Sequence, residues 1–264
     1  MSAEQAAKRI RTDSGGSFTN QVAIVTGGAS GIGKGIVHML AKEGVKVAIF
    51  DVVQPNIDST VKELKDIGHD ISARLVDVAE ESSVQEGMQS VVDSYGRLDI
   101  VVNCAGIVGP NGVKTEDVTV QDFDHVYKVN VTGSFLVTKH AIKHMLPQNY
   151  GRILLFASVA GKEGNAGMMA YSTSKAAVIG LIKSVGKEYA ETGITVNAVA
   201  PAVIRTPMVD GMKQEQVKRL TDKIPMKRCG TIDEISSLVR FIVSPESSFN
   251  TGYCFDMTGG RATY

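Results

Sequence analysis

Tyr171 and Lys175 stand four residues apart in the run Tyr171-Ser172-Thr173-Ser174-Lys175. On a helix, positions i and i+4 share one face. That spacing puts a phenol and an ammonium beside the same cleft. A tyrosine hydroxyl has an ordinary pKa of about 10. A neighbouring cation favours the phenolate and draws that value towards neutral pH. The pair is therefore a candidate for general acid–base work on an oxygen. Ser158 lies upstream, directly after an apolar run over residues 152–157. Ligands of open α/β sheets sit at the carboxyl ends of strands. Ser158 is thus placed to hydrogen-bond the same substrate oxygen.

A second cluster is built for phosphate. Thr26-Gly27-Gly28-Ala29-Ser30-Gly31-Ile32-Gly33 follows one apolar run and opens a helical pattern. Glycines allow a tight turn, a close backbone approach to a pyrophosphate and close helix–strand packing. The helix start then offers free N–H groups and a positive dipole end. Asp51 ends the next apolar run. A carboxylate there accepts hydrogen bonds from ribose hydroxyls and repels a 2′-phosphate. Ser30 stands where a basic residue would favour that phosphate. Both positions point to NAD over NADP.

These groups need a scaffold, and the apolar periodicity supplies one. Strands are expected over residues 22–26, 45–50, 72–76, 99–103, 152–157, 195–199 and 254–257. Helices are expected over 33–43, 59–67, 82–95, 120–145, 169–191 and 232–243. The strands are apolar throughout rather than alternating, as in parallel strands buried on both faces. Strand–helix alternation predicts an α/β fold: a single-domain Rossmann fold with a doubly wound parallel sheet of about seven strands. Residues 1–19, ending in a Gly/Ser-rich run, read as a flexible tail. Residues 20–264 read as one domain, in which 201–230 is irregular and a candidate lid.

Bulk composition narrows the function classes. The 264 residues carry 28 Lys and Arg against 28 Asp and Glu. Such balance offers no field for nucleic acid or an anionic membrane. Cys104, Cys229 and Cys254 form no CxxC pair, and their odd number argues against a disulfide framework, so a reducing, cytoplasmic setting is expected. No metal site is expected. His140 and His144 share a helix face, but no third ligand accompanies them. Met168 and Met169, Lys162 and Glu163, and Arg261 near the end of the sequence are further candidates to meet a substrate. Arg261 is read as a possible bidentate partner for a substrate carboxylate.

Over residues 20–264 the chain resembles the short-chain dehydrogenase/reductase family. The likeness rests on Thr26-Gly27 through Gly33, Asp77, Asn103-Cys104-Ala105-Gly106, Asn130, Ser158, Tyr171, Lys175, and Pro201 with Thr206. The resemblance implies that Tyr171 is the general acid or base and that Ser158 polarises the carbonyl. It implies that Lys175 lowers the Tyr171 pKa and binds the nicotinamide ribose, while Asn130 holds a proton-relaying water. Gly27, Ser30, Gly31, Ile32, Gly33, Asp51, Asp77, Val78, Asn103, Ala105, Gly106, Pro201, Ile204 and Thr206 are the implied cofactor contacts, with Tyr171 and Lys175. A homotetramer is implied, joined through the helices at 120–145 and 169–191. Two positions depart from the family pattern: Cys104 replaces an asparagine and Ala202 replaces a glycine.

Three functions are carried forward. The first is an NAD-dependent oxidoreductase acting on a secondary alcohol or ketone of a sugar, polyol or sugar acid. The second is a 3-oxoacyl-[acyl-carrier-protein] reductase, which would need cations to dock an acidic carrier. The third is a non-catalytic dinucleotide-binding redox sensor.

Overall fold

The computed structural model describes residues 18–264. The chain alternates strand and helix: β1 (Val22–Thr26), α1 (Gly31–Lys42), β2 (Lys46–Asp51), α2 (Gln54–Asp66), β3 (Ile71–Leu75), α3 (Glu81–Tyr95) and β4 (Ile100–Asn103). There follow α4 (Val120–Tyr127), α5 (Gly133–Met145), β5 (Gly151–Phe156), α6 (Ala160–Glu163), α7 (Met169–Glu188) and β6 (Ile194–Pro201). The remaining elements are α8 (Pro207–Asp210), α9 (Gln214–Asp222), α10 (Ile232–Val243) and β7 (Cys254–Met257). The seven strands form one parallel sheet in the order β3-β2-β1-β4-β5-β6-β7. This is the doubly wound α/β sheet expected from the apolar strands.

The central strands are largely apolar because both faces are covered, whereas edge strand β3 leaves Arg74 and Leu75 exposed. Val22 and Ile24 of β1 point into a cluster with Val137, Ile142 and Val178 from α5 and α7. Ala23 and Val25 point the other way, against Ile36 and Leu40 of α1 and Ile235 of α10. Strand order reverses between β1 and β4, which opens a crevice at their carboxyl ends. The Gly-rich loop, Asp51, Asp77, Ala105 and Ser158 stand at or just beyond the carboxyl ends of β1, β2, β3, β4 and β5.

Three local expectations differ from the structure. The span 120–145 is not one helix. A π-turn over Lys128–Thr132 separates α4 from α5. Segment 201–230 is not wholly irregular, since it contains α8 and α9. Helix α9 buries no residue, and Val217 and Leu220 make only a short apolar stripe. The tail expectation falls mostly on residues outside those described. At its end, however, Phe18 is only 1% exposed and packs in the α1 face of the core.

Candidate active site

The crevice holds a cavity of about 740 Å³. Its lining includes Gly27, Ser30, Gly31, Ile32, Gly33, Asp51, Asp77, Val78, Ala105, Gly106 and Thr206. The Gly-rich loop is shaped by its lack of side chains. Gly27 has φ +61°, a left-handed conformation that L residues rarely adopt. A Cβ on Gly33 would lie 2.1 Å from the Gly27 carbonyl oxygen, so only glycine lets α1 start this close to the loop. Ser30 caps α1 without a side-chain bond, and the first turn holds no acid. The free N–H groups and the positive dipole end therefore face the cavity, a fit for pyrophosphate.

Asp51 anchors the far end. Its Oδ2 accepts the Ala29 N–H at 3.1 Å, and Oδ1 accepts those of Val52 and Val53 at 2.8 and 3.1 Å. These bonds fix the carboxylate, with lone pairs left for hydroxyl donors. Asp77 Oδ1 likewise accepts the Ala79 N–H at 2.9 Å.

Five expected cofactor contacts, Asn103, Tyr171, Lys175, Pro201 and Ile204, are not among the lining residues. Asn103 is buried behind the wall, where its Oδ1 accepts Thr26 Oγ1–H at 2.5 Å and its Nδ2 donates to Ser134 Oγ at 3.0 Å. Thr26 Oγ1 in turn accepts the Ala105 N–H at 3.1 Å, which fixes the loop after β4. Pro201 is buried at the end of β6, and Ile204 is buried and bridges to Gly230. Conversely Cys104, Ile107, His125, Val129, Phe156, Pro207 and Met208 line the cavity without having been singled out for it. Cys104 and Ile107 follow β4, His125 lies on α4, Val129 in the π-turn, Phe156 ends β5, and Pro207 and Met208 open α8; no sequence spacing marks them.

The four candidate catalytic residues adjoin this cavity through Gly106, Ile107 and Phe156. Ser158 follows β5 and is buried, its Oγ accepting the Ala160 N–H at 3.2 Å. Tyr171 and Lys175 share one face of α7. The Lys175 Nζ lies 5.7 Å from the Tyr171 ring centroid. Asn130 sits in the π-turn, where π-bulges commonly serve functional sites. Its Nδ2 donates to Ser174 Oγ at 3.0 Å, a bond from the π-turn to α7. Its carbonyl accepts the Ser134 hydroxyl at 2.6 Å and keeps a second lone pair.

The electrostatics differ from the expectation for Tyr171. Burial pushes the Tyr171 phenol above its ordinary value, and a hydrogen bond with Ser158 draws it part of the way back. Lys175 contributes no lowering. It is the amine that moves furthest: burial depresses Lys175 to about 8. The reason is geometric. The Lys175 Nζ donates to the Phe156 carbonyl at 2.6 Å, with no carboxylate to hold its charge. A Cβ on Gly106 would lie 3.3 Å from that Nζ and 3.1 Å from Asn130 Oδ1. Glycine at 106 therefore leaves the ammonium open towards the cavity side.

The other candidates have partners of their own. Lys162 Nζ donates to Asp256 Oδ2 at 2.8 Å, and Arg261 Nε donates to Glu163 Oε2 at 2.8 Å. His140 is buried with its Nε2 3.1 Å from Glu81 Oε1. Among the described residues no group of three or more His, Cys, Asp or Glu is arranged to hold a metal ion. Burial pushes the Cys104 thiol far up, which keeps it protonated. Ala202 has no positive φ, so the loop there follows its path without the usual glycine. No helix among the described residues is long and apolar enough to cross a membrane.

Comparison with known proteins agrees with this geometry. A family model described as enoyl-(acyl carrier protein) reductase matches residues 27–261. A 2-dehydro-3-deoxy-L-rhamnonate dehydrogenase (NAD(+)) of Sphingomonas sp. (strain SKA58) is 39% identical over 249 residues, covering 94% of this chain and 98% of its own. A 3-oxoacyl-[acyl-carrier-protein] reductase of Thermotoga maritima is 37% identical over 245 residues, covering 91% and 97%. The crystal structure of a variant actinorhodin polyketide ketoreductase with NADPH superposes with a TM-score of 0.87 at 34% identity, covering 94% of this chain and 100% of that one. Fold, crevice and sequence likeness over nearly the full length agree: the chain belongs to the short-chain dehydrogenase/reductase family of pyridine-nucleotide-dependent oxidoreductases.

Proposed function

We infer that the protein is an NAD-dependent dehydrogenase that interconverts a secondary hydroxyl and a ketone on a sugar, polyol or sugar acid. The observation that carries the cofactor choice is the buried Asp51 carboxylate at the end of the cavity, fixed by three backbone N–H groups. It suits two ribose hydroxyls and repels a 2′-phosphate. The glycine cradle and open α1 start suit the pyrophosphate. When bound, the nicotinamide supplies or takes up the hydride.

The protein's own residues do the rest. Ser158 Oγ and Tyr171 Oη, already hydrogen-bonded to each other, both meet the substrate oxygen. Ser158 orients and polarises it. Tyr171 Oη gives that oxygen a proton in reduction and removes one in oxidation. Lys175, held near the neutral range by burial, stands next in the proton path and binds the nicotinamide ribose hydroxyls. Asn130 braces the loop after β4 against α7. Its carbonyl lone pair can hold the water that carries protons onward.

The sugar-acid reading draws on the Sphingomonas relative. A second reading, reduction of 3-oxoacyl groups on an acyl carrier, draws on the Thermotoga relative. Docking an acidic carrier would need free cations beside the cleft. Instead Lys128 and Lys139 are paired with Glu80 and Glu81, and Phe135 is half exposed between them in sequence. A redox sensor would not need an intact Ser158, Tyr171 and Lys175 set. A cytoplasmic homotetramer joined through α4, α5 and α7 completes the reading. Exposed Val120 and Phe135 on those helices support it.

A kinetic screen tests the reading. Sugar acids, polyols and β-ketoacyl thioesters are each offered with NAD(H) and NADP(H), and absorbance of the reduced nicotinamide is followed. Turnover of a sugar acid or polyol with higher kcat/KM for NAD(H) is expected. Preference for NADPH and a β-ketoacyl thioester would replace this reading with the second.

A further inference from the structure

The last residues of the sequence form a network on the substrate side of the site. The Arg261 N–H donates to the Thr258 carbonyl at 3.2 Å, and the Ala262 N–H donates to Thr258 Oγ1 at 3.1 Å. These bonds fold 258–262 into a turn. From that turn Arg261 spans two acceptors, Glu163 Oε2 at 2.8 Å and Asn165 Oδ1 at 3.0 Å. Its side chain is only 8% exposed. Beside it, Lys162 Nζ donates to Asp256 Oδ2 and to the Tyr264 main-chain oxygen, and the Tyr264 hydroxyl donates back to the Lys162 carbonyl at 3.2 Å. Residues 162, 163 and 165 are thus all held from 256–264.

The held segment joins Ser158 to Tyr171. Its far side is tied down as well. The Asn165 N–H donates to Ser172 Oγ at 3.1 Å, and the Gly112 N–H donates to the Gly167 carbonyl at 2.9 Å. Ser158 and Tyr171 themselves are anchored independently, at the end of β5 and in the first turn of α7. Loosening the hold from Arg261 therefore moves the wall between them and leaves the reacting groups in place.

We propose that Arg261 is a positioning residue that sets substrate affinity by clamping the segment 159–168 through Glu163 and Asn165. This rests on the oxidoreductase reading above. A guanidinium suits the task, since its planar fork holds two acceptors at once and stays charged when buried. The clamp also answers the expectation that Arg261 meets a substrate carboxylate: its Nε–Nη2 edge, one that would grip a carboxylate, is directed at the protein's own loop.

The test compares Arg261→Ala, Glu163→Ala, the double variant and Arg261→Lys. Cofactor binding is read with NADH by fluorescence, and turnover with whichever compound of the screen the wild-type protein converts fastest. Each alanine variant raises KM about tenfold, with kcat within about threefold and NADH affinity unchanged. The double variant is no worse than Arg261→Ala alone, because Arg261→Ala already removes the Glu163 contact along with the bond to Asn165. Arg261→Lys, which keeps the charge and loses the fork, recovers part of the loss. Amide exchange across 159–168 quickens in both alanine variants without any substrate, so the clamp stays testable if the oxidoreductase reading fails. Unchanged exchange with unchanged KM overturns the proposal. A Glu163→Ala variant with lower KM for an acid substrate overturns it in favour of direct carboxylate binding. Loss of NADH binding together with KM overturns it in favour of a merely structural role.

Discussion

Asn130 and Ile107 are tied by a reciprocal pair of hydrogen bonds: the Ile107 N–H donates to Asn130 Oδ1 at 2.8 Å, and Asn130 Nδ2 donates to the Ile107 carbonyl at 2.9 Å. The pair turns a side chain in the π-turn into a mimic of a neighbouring strand for the loop after β4. It ties the π-turn between α4 and α5 to the cavity wall at Gly106 and Ile107.

Asn130→Ala leaves the Ile107 N–H and carbonyl without their partner. One unsatisfied buried group costs about 1–3 kcal/mol. A lower melting temperature and a lower kcat are expected together, since the same loop borders Lys175. Thermal unfolding and steady-state kinetics on the one variant check this. An unchanged kcat would remove Asn130 from the site.

Lys175 links stability to pH. An unfolded lysine has a pKa of about 10.4. Burial depresses the folded value to about 8. Between those values the unfolded chain binds more protons, so this group makes stability rise with pH from about 8 to about 10.4. Below about 8 its full penalty is present, on the order of 3 kcal/mol. Lys175→Met should therefore be inactive yet more stable at neutral pH, with a flatter stability profile across that window. Denaturant titrations at pH 7, 8 and 10 check the sign. A wild-type advantage at pH 7 would contradict it.

Asp51→Asn tests the cofactor choice. The variant keeps a side-chain acceptor for the Val52 and Val53 N–H groups and loses the charge. Charge-assisted bonds are worth about 1.5–3 kcal/mol, so kcat/KM with NAD should fall about ten- to hundredfold. That with NADP should hold or rise. Equal losses with both cofactors would detach Asp51 from the ribose.

Gly33→Ala places a methyl 2.1 Å from the Gly27 carbonyl oxygen. The backbone of the loop or of α1 must shift. NADH affinity and melting temperature should fall together, read by fluorescence titration and thermal unfolding. Retained affinity would show that the loop tolerates a wider entry to α1.

The sequence carried most of the frame. Strands buried on both faces read as unbroken apolar runs, and Tyr171, Lys175 and the Gly-rich loop announce themselves by spacing. What stayed illegible has tertiary causes. The π-turn keeps the apolar periodicity of its flanks, and the partner of its Asn130, Ile107, lies well upstream in the chain. Helix α9 has only Val217 and Leu220 on its apolar side, too short a stripe to mark it. Phe18 follows a Gly/Ser-rich run, and only the fold shows that it packs under Arg240, 5.6 Å from its ring centroid. The partners of Arg261 lie far upstream in the chain. The Tyr171 pKa depends on burial and on where Lys175 aims its proton, and residue spacing reports neither.

The account turns on a proton passing through Tyr171 Oη. Tyr171→Phe removes that single atom from a buried site and leaves the cavity intact. Single-turnover measurements with saturating NADH, alongside NADH titration, read chemistry and binding separately. Loss of at least about a hundredfold in the hydride-transfer rate is expected, with NADH affinity within about twofold of wild type. Turnover at the wild-type rate would contradict it.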